Sequence, residues 1–444
     1  GCSFGQPYYL IIKLLYLDYI FLLEVISVFS INKLKIITFV ILGGVLFNSH
    51  ANSLKYILNN SLNNAPELLE AKADIDIAVA KVNQTRAQHF PVISVTGNKL
   101  LGQYHRDKSD YDNNSFIPGL RGELNIYSFG GIENDVERNE KEQLYYQFKY
   151  SETKENVAYT ISDLYLKALL AKESIAVKKK SLDRHNKIIS ELNVIARNDE
   201  GRVSEYVQAE ARKILVEQDI NYYEKELMTT LSTLSKYTGF PVGESDLVNP
   251  FDGMTVSDMY SEFTAENNNQ NPAYLVSQAD IDAKKMGVKV ENKKQLPRIN
   301  LTGNITKDDR QIGIDVTWDI INFSSLYSID EKVSQLNAAQ QRMERVIRDI
   351  EEARRLSVIN IQKSTQKLKI LDAQILSSTK VVDFYQLQFN VARRSLLDVL
   401  NAEKELSDVE LSYATTLSDL RYGMLDYLYA QGKLSHWALN SHTH

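Results

Sequence analysis

Four short segments of the chain alternate strictly between apolar and polar residues. They cover residues 93–98, 120–126, 299–306 and 312–320. The last segment is the clearest, with Ile312, Ile314, Val316, Trp318 and Ile320 on one side and Asp315, Thr317 and Asp319 on the other. Successive side chains of a strand point to opposite faces, so the pattern predicts four strands, each with one apolar and one polar face. A barrel wall between lipid and water has such faces, and so does a half-buried sheet of a soluble protein; alternation alone leaves both open.

Much longer segments follow the predicted strands and carry a helical pattern. Residues 132–198 and 328–390 contain neither proline nor glycine, which favours uninterrupted helices. A narrow apolar stripe at helical spacing runs along each of them, formed by Val157, Ile161, Leu164 and Ala168 in the first and by Leu368, Leu371 and Ile375 in the second. Such stripes are typical of coiled-coil packing. At about 1.5 Å per residue, each helix reaches close to ~100 Å.

Each long helix is expected to turn once and to be followed by a helix that runs back. The sequence places these turns near residues 198–201 and 391–395, and the returning helices end at Gly239 and Gly432. Shorter helices are predicted over residues 64–88 and 272–295, before the first strand of each half. Each half therefore reads as helix, strand, strand, helix, helix.

The two halves are copies of one unit. Residues 73–76 (Ala-Asp-Ile-Asp) recur at 279–282, an offset of 279 − 73 = 206, and Thr96-Gly97-Asn98 recurs at 302–304 at the same offset. Further along the chain the offset falls from 206 to 194, as shown by Gly119, which corresponds to Gly313 (313 − 119 = 194). Length differences of this kind collect in exposed loops. We therefore divide the chain into a first repeat (52–249), a second repeat (250–434) and a polar tail (435–444).

The N-terminal region predicts export. Lys33 and Lys35 precede an apolar run over residues 36–47 and then Ser49-His50-Ala51. This order is typical of a secretory signal peptide, assigned here to residues 32–51 with cleavage after Ala51. The alternative is a short membrane anchor, for which the run is short. Residues 1–31 are expected to be translated upstream sequence or a non-native segment.

Composition and motifs exclude several classes of function. The net charge is −6 and no block of Lys or Arg is present, so no nucleic-acid partner is expected. The one cysteine, Cys2, precedes the predicted cleavage point, and the seven histidines share no metal-ligand spacing. We find no nucleophile elbow, phosphate-binding glycine loop or HExxH helix. The sequence therefore predicts a protein that is not an enzyme and binds no cofactor or metal.

The strand count bears on assembly. Two hairpins supply four strands, and four strands cannot close a barrel in lipid, where open sheet edges leave backbone groups without hydrogen bonds. Three copies would supply 4 × 3 = 12 strands, a viable size for such barrels. The sequence thus favours a homotrimer in which the long helices form a tube beside the barrel. The polar loop 102–118, between two predicted strands, is expected to face the cell exterior.

The order of elements and several motifs resemble the TolC family of outer-membrane efflux and type I secretion channels. The resembling stretches include Asn271-Pro272, the junctions 127–131 (Tyr-Ser-Phe-Gly-Gly) and 321–324 (Ile-Asn-Phe-Ser), and residues 394–403 (Arg-Ser-Leu-Leu-Asp-Val-Leu-Asn-Ala-Glu). The resemblance covers residues 52–434. It implies a mainly α protomer with a β-barrel portion, an α-helical periplasmic tube and a smaller equatorial layer, built partly from residues 240–268 and the C-terminal tail.

The resemblance also implies a gate at the periplasmic tip. Arg394 matches a position whose guanidinium latches onto the neighbouring helix turn, where Ser204 and Glu205 match the receiving positions. Asp398 matches the first of two acids at the pore constriction, and Asn401 occupies the second position, so each copy contributes one charge instead of two. The turns around the gate, where adaptor proteins dock in this family, comprise Gly201, Arg202, Val203, Ser395 and Leu396. The residues by themselves also allow a plainer interpretation, with Glu205 and Arg394 as solvated helix-end charges and Asp398 as an N-cap.

These features predict an outer-membrane exit duct of a tripartite export system. Its expected partners are two further copies of itself, a periplasmic adaptor, an inner-membrane ABC or proton-driven transporter, and outer-membrane lipid. Residues 394–400 favour type I protein secretion, and the alternative is the outer-membrane component of multidrug efflux. A structural periplasmic coiled-coil protein is a more remote alternative, because it would need no lipid-facing strands.

Overall fold

The computed structural model describes residues 54–99, 116–196, 202–265, 267–307 and 309–439. The predicted signal peptide 32–51, the segment 1–31 before it and most of the predicted exterior loop lie outside the described residues. So do residues 440–444 of the predicted tail. None of the described helices combines the length with the hydropathy that a membrane span requires.

The elements follow the predicted order in both repeats. The first repeat contains α1 (Leu54–Asn64), α2 (Pro66–Arg86), β1 (Val92–Lys99), β2 (Phe116–Tyr127), α3 (Gly131–Ala196) and α4 (Val203–Thr238). The short helix α5 (Val256–Phe263) connects it to the second repeat, which contains α6 (Pro272–Lys293), β3 (Arg298–Thr306), β4 (Arg310–Thr317), α7 (Phe323–Asn390) and α8 (Leu396–Ala430). A last helix, α9 (Leu434–Leu439), closes the described chain.

Local sequence explains where these helices start and stop. Proline occupies the first turn of both α2 and α6, where its missing N–H has no helical partner to lose. Gly239 ends α4 with a left-handed φ of 75°, a conformation that glycine adopts at low cost. The predicted helix 64–88 corresponds to α2, which Pro66 begins after the extended Ala65, whereas α1 ends at Asn64, where the predicted range begins, and was not predicted.

The four strands form one antiparallel sheet in the order β1-β2-β3-β4. Its register agrees with the duplication: Thr96 lies opposite Gly119 in the first hairpin, and Thr302 lies opposite Gly313 in the second. Applying the two sequence offsets to the first pair gives the second, since 96 + 206 = 302 and 119 + 194 = 313. The two hairpins are therefore equivalent structures, and β2 joins them by pairing with β3.

The register also shows which side chains lie on the same face of the sheet. On one face, Ile93 of β1 lies opposite Gly122 of β2 and Val95 lies opposite Leu120. Leu120 in turn lies opposite Ile305 of β3. This face is open to solvent in the protomer: Val95 is 82% exposed and Ile312 is 81% exposed. The opposite face is polar and hydrogen-bonded across strands, with the Asn125 amide donating to Asn300 Oδ1 at 2.8 Å.

The predicted strand 312–320 is longer than the observed one, which ends at Thr317. The β3–β4 register would place Trp318 opposite Pro297, and proline has no N–H to offer a ladder. The Trp318 indole N–H donates instead to the carbonyl oxygen of Gln295, at 3.1 Å, and so ties this segment to the end of α6.

The main core lies midway along the helices. It combines residues of α1, α3, α4 and α8 with the connecting segment around α5 and with α9, including Leu58, Ile161, Leu234, Met259, Leu425 and Trp437. The Arg421 guanidinium fastens this layer to α3, because both of its terminal nitrogens donate to the Glu173 carboxylate at 2.8 Å. This layer corresponds to the expected equatorial region.

The prediction of a polar tail is wrong for residues 435–439. These residues belong to α9, and Trp437 is 1% exposed against Phe251 at a ring-centroid distance of 5.2 Å. Leu434, Trp437 and Ala438 have helical spacing, and together they bury one face of this short helix. Glu155 of α3 anchors its start by accepting hydrogen bonds from the backbone N–H groups of Leu434 and Ser435, at 3.0 and 3.1 Å.

Candidate functional site

The candidate gate is built around the turn between α7 and α8. The Ala392 N–H donates to the Phe389 carbonyl at 2.9 Å, and the Arg393 N–H donates to the Gln388 carbonyl at 2.8 Å. These two bonds define a Schellman helix end, whose left-handed position is usually glycine. Here Ala392 occupies it with φ 57°. A residue with a side chain costs about 1–2 kcal/mol in that conformation, so the turn holds some backbone strain.

The start of α8 is capped by Ser395, and this corrects the plainer interpretation of Asp398 as an N-cap. The Asp398 N–H donates to Ser395 Oγ at 3.2 Å, and Ser395 Oγ donates to Asp398 Oδ2 at 2.8 Å. Asp398 therefore lies three residues inside the helix, where its negative charge is favoured by the helix dipole.

An apolar cluster joins the helices behind this turn. This tip cluster consists of Ile188, Leu192, Ala209, Phe389, Leu396, Val399 and Leu400, from α3, α4, α7 and α8. Leu396 is 1% exposed. Its side chain is thus packed inside the protomer and unavailable for direct contact with an adaptor, which corrects its assignment to the docking surface. Val203 is 48% exposed, and Arg202 and Ser395 also reach the surface.

Two arginines cover one face of α7 at the tip. The Arg394 guanidinium carbon lies 4.0 Å from the centroid of the Tyr385 ring, and that of Arg202 lies 5.8 Å from the centroid of the Phe389 ring. Tyr385 and Phe389 are four residues apart, hence neighbours on one helix face. The two turns of the repeats are thus brought together through cation–π contacts with α7. Sequence reasoning missed both aromatic residues, whose helical spacing was the available signal.

Within the protomer, the predicted latch residues have other partners. Arg394 Nη1 lies 3.9 Å from Asp398 Oδ2, and Arg202 Nη1 lies 2.9 Å from Glu205 Oε2. Ser204 is exposed, and in the described part of the protomer no ion pair joins Arg394 to Glu205. Arg394 Nε is buried without a hydrogen-bond partner among the described residues. Gly201 lies outside the described residues.

The predicted constriction residues both lie on the first two turns of α8. Asp398 is partly exposed, and Asn401 is exposed one turn further along. Asn401 lines a shallow groove between α7 and α8 together with Leu371 and Gln374. The structure therefore presents one carboxylate and one amide on this stretch of helix surface.

An ionic cluster above the tip was also missed. Arg184 of α3 lies between two carboxylates of α8. Its Nε is 2.6 Å from Glu403 Oε2, and its Nη2 is 2.9 Å from Glu410 Oε2. The Glu403 side chain is 3% exposed. Burial raises the pKa of the Glu403 carboxyl above its ordinary value, and the charge of Arg184 opposes that shift. Arg184 and Glu403 are 219 residues apart in sequence, so no local pattern connects them.

Replacing Arg184 with Gln should destabilise the tip by about 3 kcal/mol, because it leaves a buried carboxylate without its cation. The pKa of Glu403 then rises further, and the folded state binds a proton more readily than the unfolded state. Stability lost at about pH 8 should be partly recovered at about pH 5.5, as the pH falls through the folded-state pKa. Thermal unfolding at the two pH values measures this difference.

The matched control is Lys404→Gln, which removes an exposed cation paired with Asp408 on the same helix. It should change the unfolding temperature little at either pH, because exposed pairs contribute little. An Arg184→Gln variant that unfolds like the wild type at pH 8 would contradict the assigned role of this cluster.

Comparison with known proteins agrees with this architecture. The sequence model of the family described as "Outer membrane efflux protein" matches residues 57–239 and 266–421. The outer membrane protein TolC of Vibrio cholerae is 19% identical, over 87% of this chain and 92% of its own length. The outer membrane efflux protein BepC of Brucella suis is 21% identical, over 92% of both chains.

Solved structures show the same fold. The outer membrane protein VceC of Vibrio cholerae superposes with a TM-score of 0.74 at 13% identity, covering 85% of this chain and 96% of that one. The CmeC outer membrane channel of Campylobacter jejuni gives a TM-score of 0.71 at 16% identity, covering 85% of both chains. The protein is therefore a non-enzymatic channel of the Gram-negative outer membrane that extends into the periplasm. The chain belongs to the outer membrane efflux protein family, the family of the TolC channels.

Proposed function

We propose that three copies of this chain form an exit duct that receives substrate from an inner-membrane transporter through a periplasmic adaptor. The observation that carries this proposal is the sheet, whose strands β1 and β4 are both edges and whose apolar face is exposed. The apolar face is suited to lipid, but the two edges are not stable there until they pair, because unpaired backbone groups in lipid cost several kcal/mol each. Closure by further copies satisfies both edges at once.

Exposed aromatic side chains support the position of the sheet in the membrane. They lie where the strands meet the helices and comprise Phe90, Tyr127, Trp318, Phe323 and Tyr327. Such residues collect at the boundary between lipid and water. The four helices that adjoin the strands, α2, α3, α6 and α7, all connect at this end of the sheet. The boundary on this side is therefore the periplasmic one, and the opposite end faces the cell exterior.

The duplication gives the register between neighbouring copies. Within the chain, β2 and β3 join two equivalent hairpins, and β4 of one copy must join β1 of the next in the same way. Arg121 lies opposite Asn304, and Glu123 lies opposite Thr302. Applying the two offsets places 121 + 194 = 315 opposite 304 − 206 = 98, and 123 + 194 = 317 opposite 302 − 206 = 96. Asp315 should therefore face Asn98 of the next copy, and Thr317 should face Thr96.

Cysteines at these positions should link the copies. In a background with Cys2→Ser, we expect oxidation of Asp315→Cys/Asn98→Cys or Thr317→Cys/Thr96→Cys to give a covalent trimer on a non-reducing denaturing gel. Directly opposed residues lie about 4.5–5.5 Å apart between Cα atoms, within reach of a disulfide.

The matched control is Thr317→Cys/Asn98→Cys, which corresponds to a slip of two residues. Its diagonal Cα separation of about 7–8 Å is too large for efficient linkage. Efficient linkage of this pair, with none in the two opposed pairs, would show that the seam has another register.

We propose that Arg394 keeps the tip closed by engaging the turn that carries Ser204 and Glu205. Because Arg394 and Glu205 have other partners within the protomer, this contact would form between neighbouring copies. The Arg394 side chain is 34% exposed, so part of it is accessible to a neighbouring copy. Asp398 and Asn401 would line the constriction, and the exposed turn residues Arg202, Val203 and Ser395 would meet the adaptor.

Replacing Arg394 with Ser should raise single-channel conductance in planar bilayers. The reason is that charge-assisted hydrogen bonds contribute about 1.5–3 kcal/mol each, and three copies repeat them. Adding Glu205→Ala should change conductance little further, because the two residues act as a pair. Asp398→Ala should alter ion selectivity with little change in resting conductance.

Arg393→Ser is the control, since Arg393 is an exposed arginine of the same turn. It should leave conductance unchanged. If Arg394→Ser also left conductance unchanged while trimers formed normally, Arg394 would be a helix-end charge with no part in gating.

For the substrate, we propose type I protein secretion. The stretch Arg394-Ser395-Leu396-Leu397-Asp398-Val399-Leu400 favours this assignment. Multidrug efflux is the second candidate, favoured by the similarity to the outer membrane efflux protein BepC of Brucella suis.

Expression in a host that lacks its own outer-membrane channel separates the two. Supplied with an ABC transporter and its adaptor, the protein should release a protein substrate into the medium. Supplied with a proton-driven pump and its adaptor, it should leave dye accumulation unchanged. Restored dye efflux without protein release would favour the second candidate.

A further inference from the structure

The apolar face of the sheet ends in basic residues at the exterior end. Lys99 follows Val95 and Gly97 on that face of β1 and lies opposite Phe116. Arg310 begins β4 on the same face, opposite Ile305. Lys99 and Arg310 are the charged residues of this face among the strand residues that the structure describes, and neither is acidic.

Both side chains are exposed, and neither belongs to an ion pair of the described residues. The carboxylate beside Arg310, that of Asp309, accepts a hydrogen bond from the Gln311 amide at 2.5 Å. The basic residue Arg121 of the polar face, in contrast, has an ion-pair partner, since its Nη2 lies 3.6 Å from Glu123 Oε2. Among the described residues, the exterior end of the lipid-facing surface therefore carries positive charge that no carboxylate pairs with.

The position of these residues corresponds to a headgroup layer. Arg310 precedes Ile312, the first aliphatic residue of β4 on this face, by two residues or about 7 Å, so it lies just beyond the apolar band. Lipids of the outer leaflet present phosphate groups at that depth. Arginine binds phosphate through paired N–H donors, and lysine binds it as a point charge.

The proposed seam gives the spacing of the two cations. Applying the two offsets to Leu120 opposite Ile305 places Ile314 of one copy opposite Lys99 of the next. Arg310 is four residues from Ile314, which puts the two basic residues about 13 Å apart along the seam. This distance suits two phosphate groups of one headgroup better than a single shared phosphate.

The geometry points to a lipid-binding site at each seam, in which Lys99 and Arg310 of adjacent copies hold a lipid headgroup that carries two phosphates. The inference rests on the proposed trimer and its seam. The alternative is that Lys99 and Arg310 are solvated side chains with no lipid ligand. In that case the protein would show no preference between lipids with one and with two phosphates.

Native mass spectrometry of the purified full-length protein tests the site. The probes are the diphosphorylated lipid anchor of lipopolysaccharide, the same lipid after removal of one phosphate, and a zwitterionic phospholipid. We expect the wild-type trimer to retain up to three copies of the diphosphorylated lipid and to bind the monophosphorylated form roughly tenfold more weakly, as loss of one charge-assisted contact implies. Lys99→Gln/Arg310→Gln should abolish this preference.

The control Arg121→Gln/Arg298→Gln removes the same charge from the polar face and should keep the preference. The site would be refuted, with the trimer still intact, by either of two results. One is a Lys99→Gln/Arg310→Gln variant that retains the diphosphorylated lipid as well as the wild type does. The other is a control variant that loses the preference as fully as Lys99→Gln/Arg310→Gln does. A spectrum that contains only monomers would instead refute the proposed trimer.

Discussion

The structure depends on one constraint, the hydrogen bonding of backbone groups at the two edges of a four-stranded sheet. Strands β1 and β4 each have one edge that pairs with no other strand of the described residues. The same sheet exposes an aliphatic face, with Ile312 at 81% and Ile93 at 76%, which water would disfavour. An outer membrane accepts the aliphatic face but not the edges. Assembly with further copies, as proposed, would remove this conflict and would align the helices around one axis.

Because the chain is duplicated, one type of strand pairing can be used both within a copy and between copies. The pairing of β2 with β3 joins the two hairpins inside the chain. In the proposed trimer, an equivalent pairing would join β4 of one copy to β1 of the next. The periplasmic tip uses the repeat differently. Both turns place an arginine over an aromatic ring of α7, although one arginine pairs with Glu205 and the other with Asp398. Both arginines therefore contact the same helix, so the tip does not repeat one contact in the way that the sheet repeats its hairpins.

Patterns with short periods predicted most of the fold from sequence. Alternation located the four strands, and the absence of proline and glycine located α3 and α7, because both depend on neighbouring residues. The tail at 435–439 was mispredicted because its burial depends on distant partners such as Phe251. The Arg184–Glu403 pair was missed for the same reason. At the gate, the resemblance supplied positions, but the side-chain partners of Arg394 and Glu205 required coordinates.

The number of copies in the native channel tests the central claim most directly. Protein extracted from outer membranes in mild detergent and weighed by native mass spectrometry should have three times the mass of the mature chain, and heating in denaturant should convert it to monomer. A mass corresponding to a monomer, with the protein folded and membrane-derived, would contradict closure of the sheet by further copies.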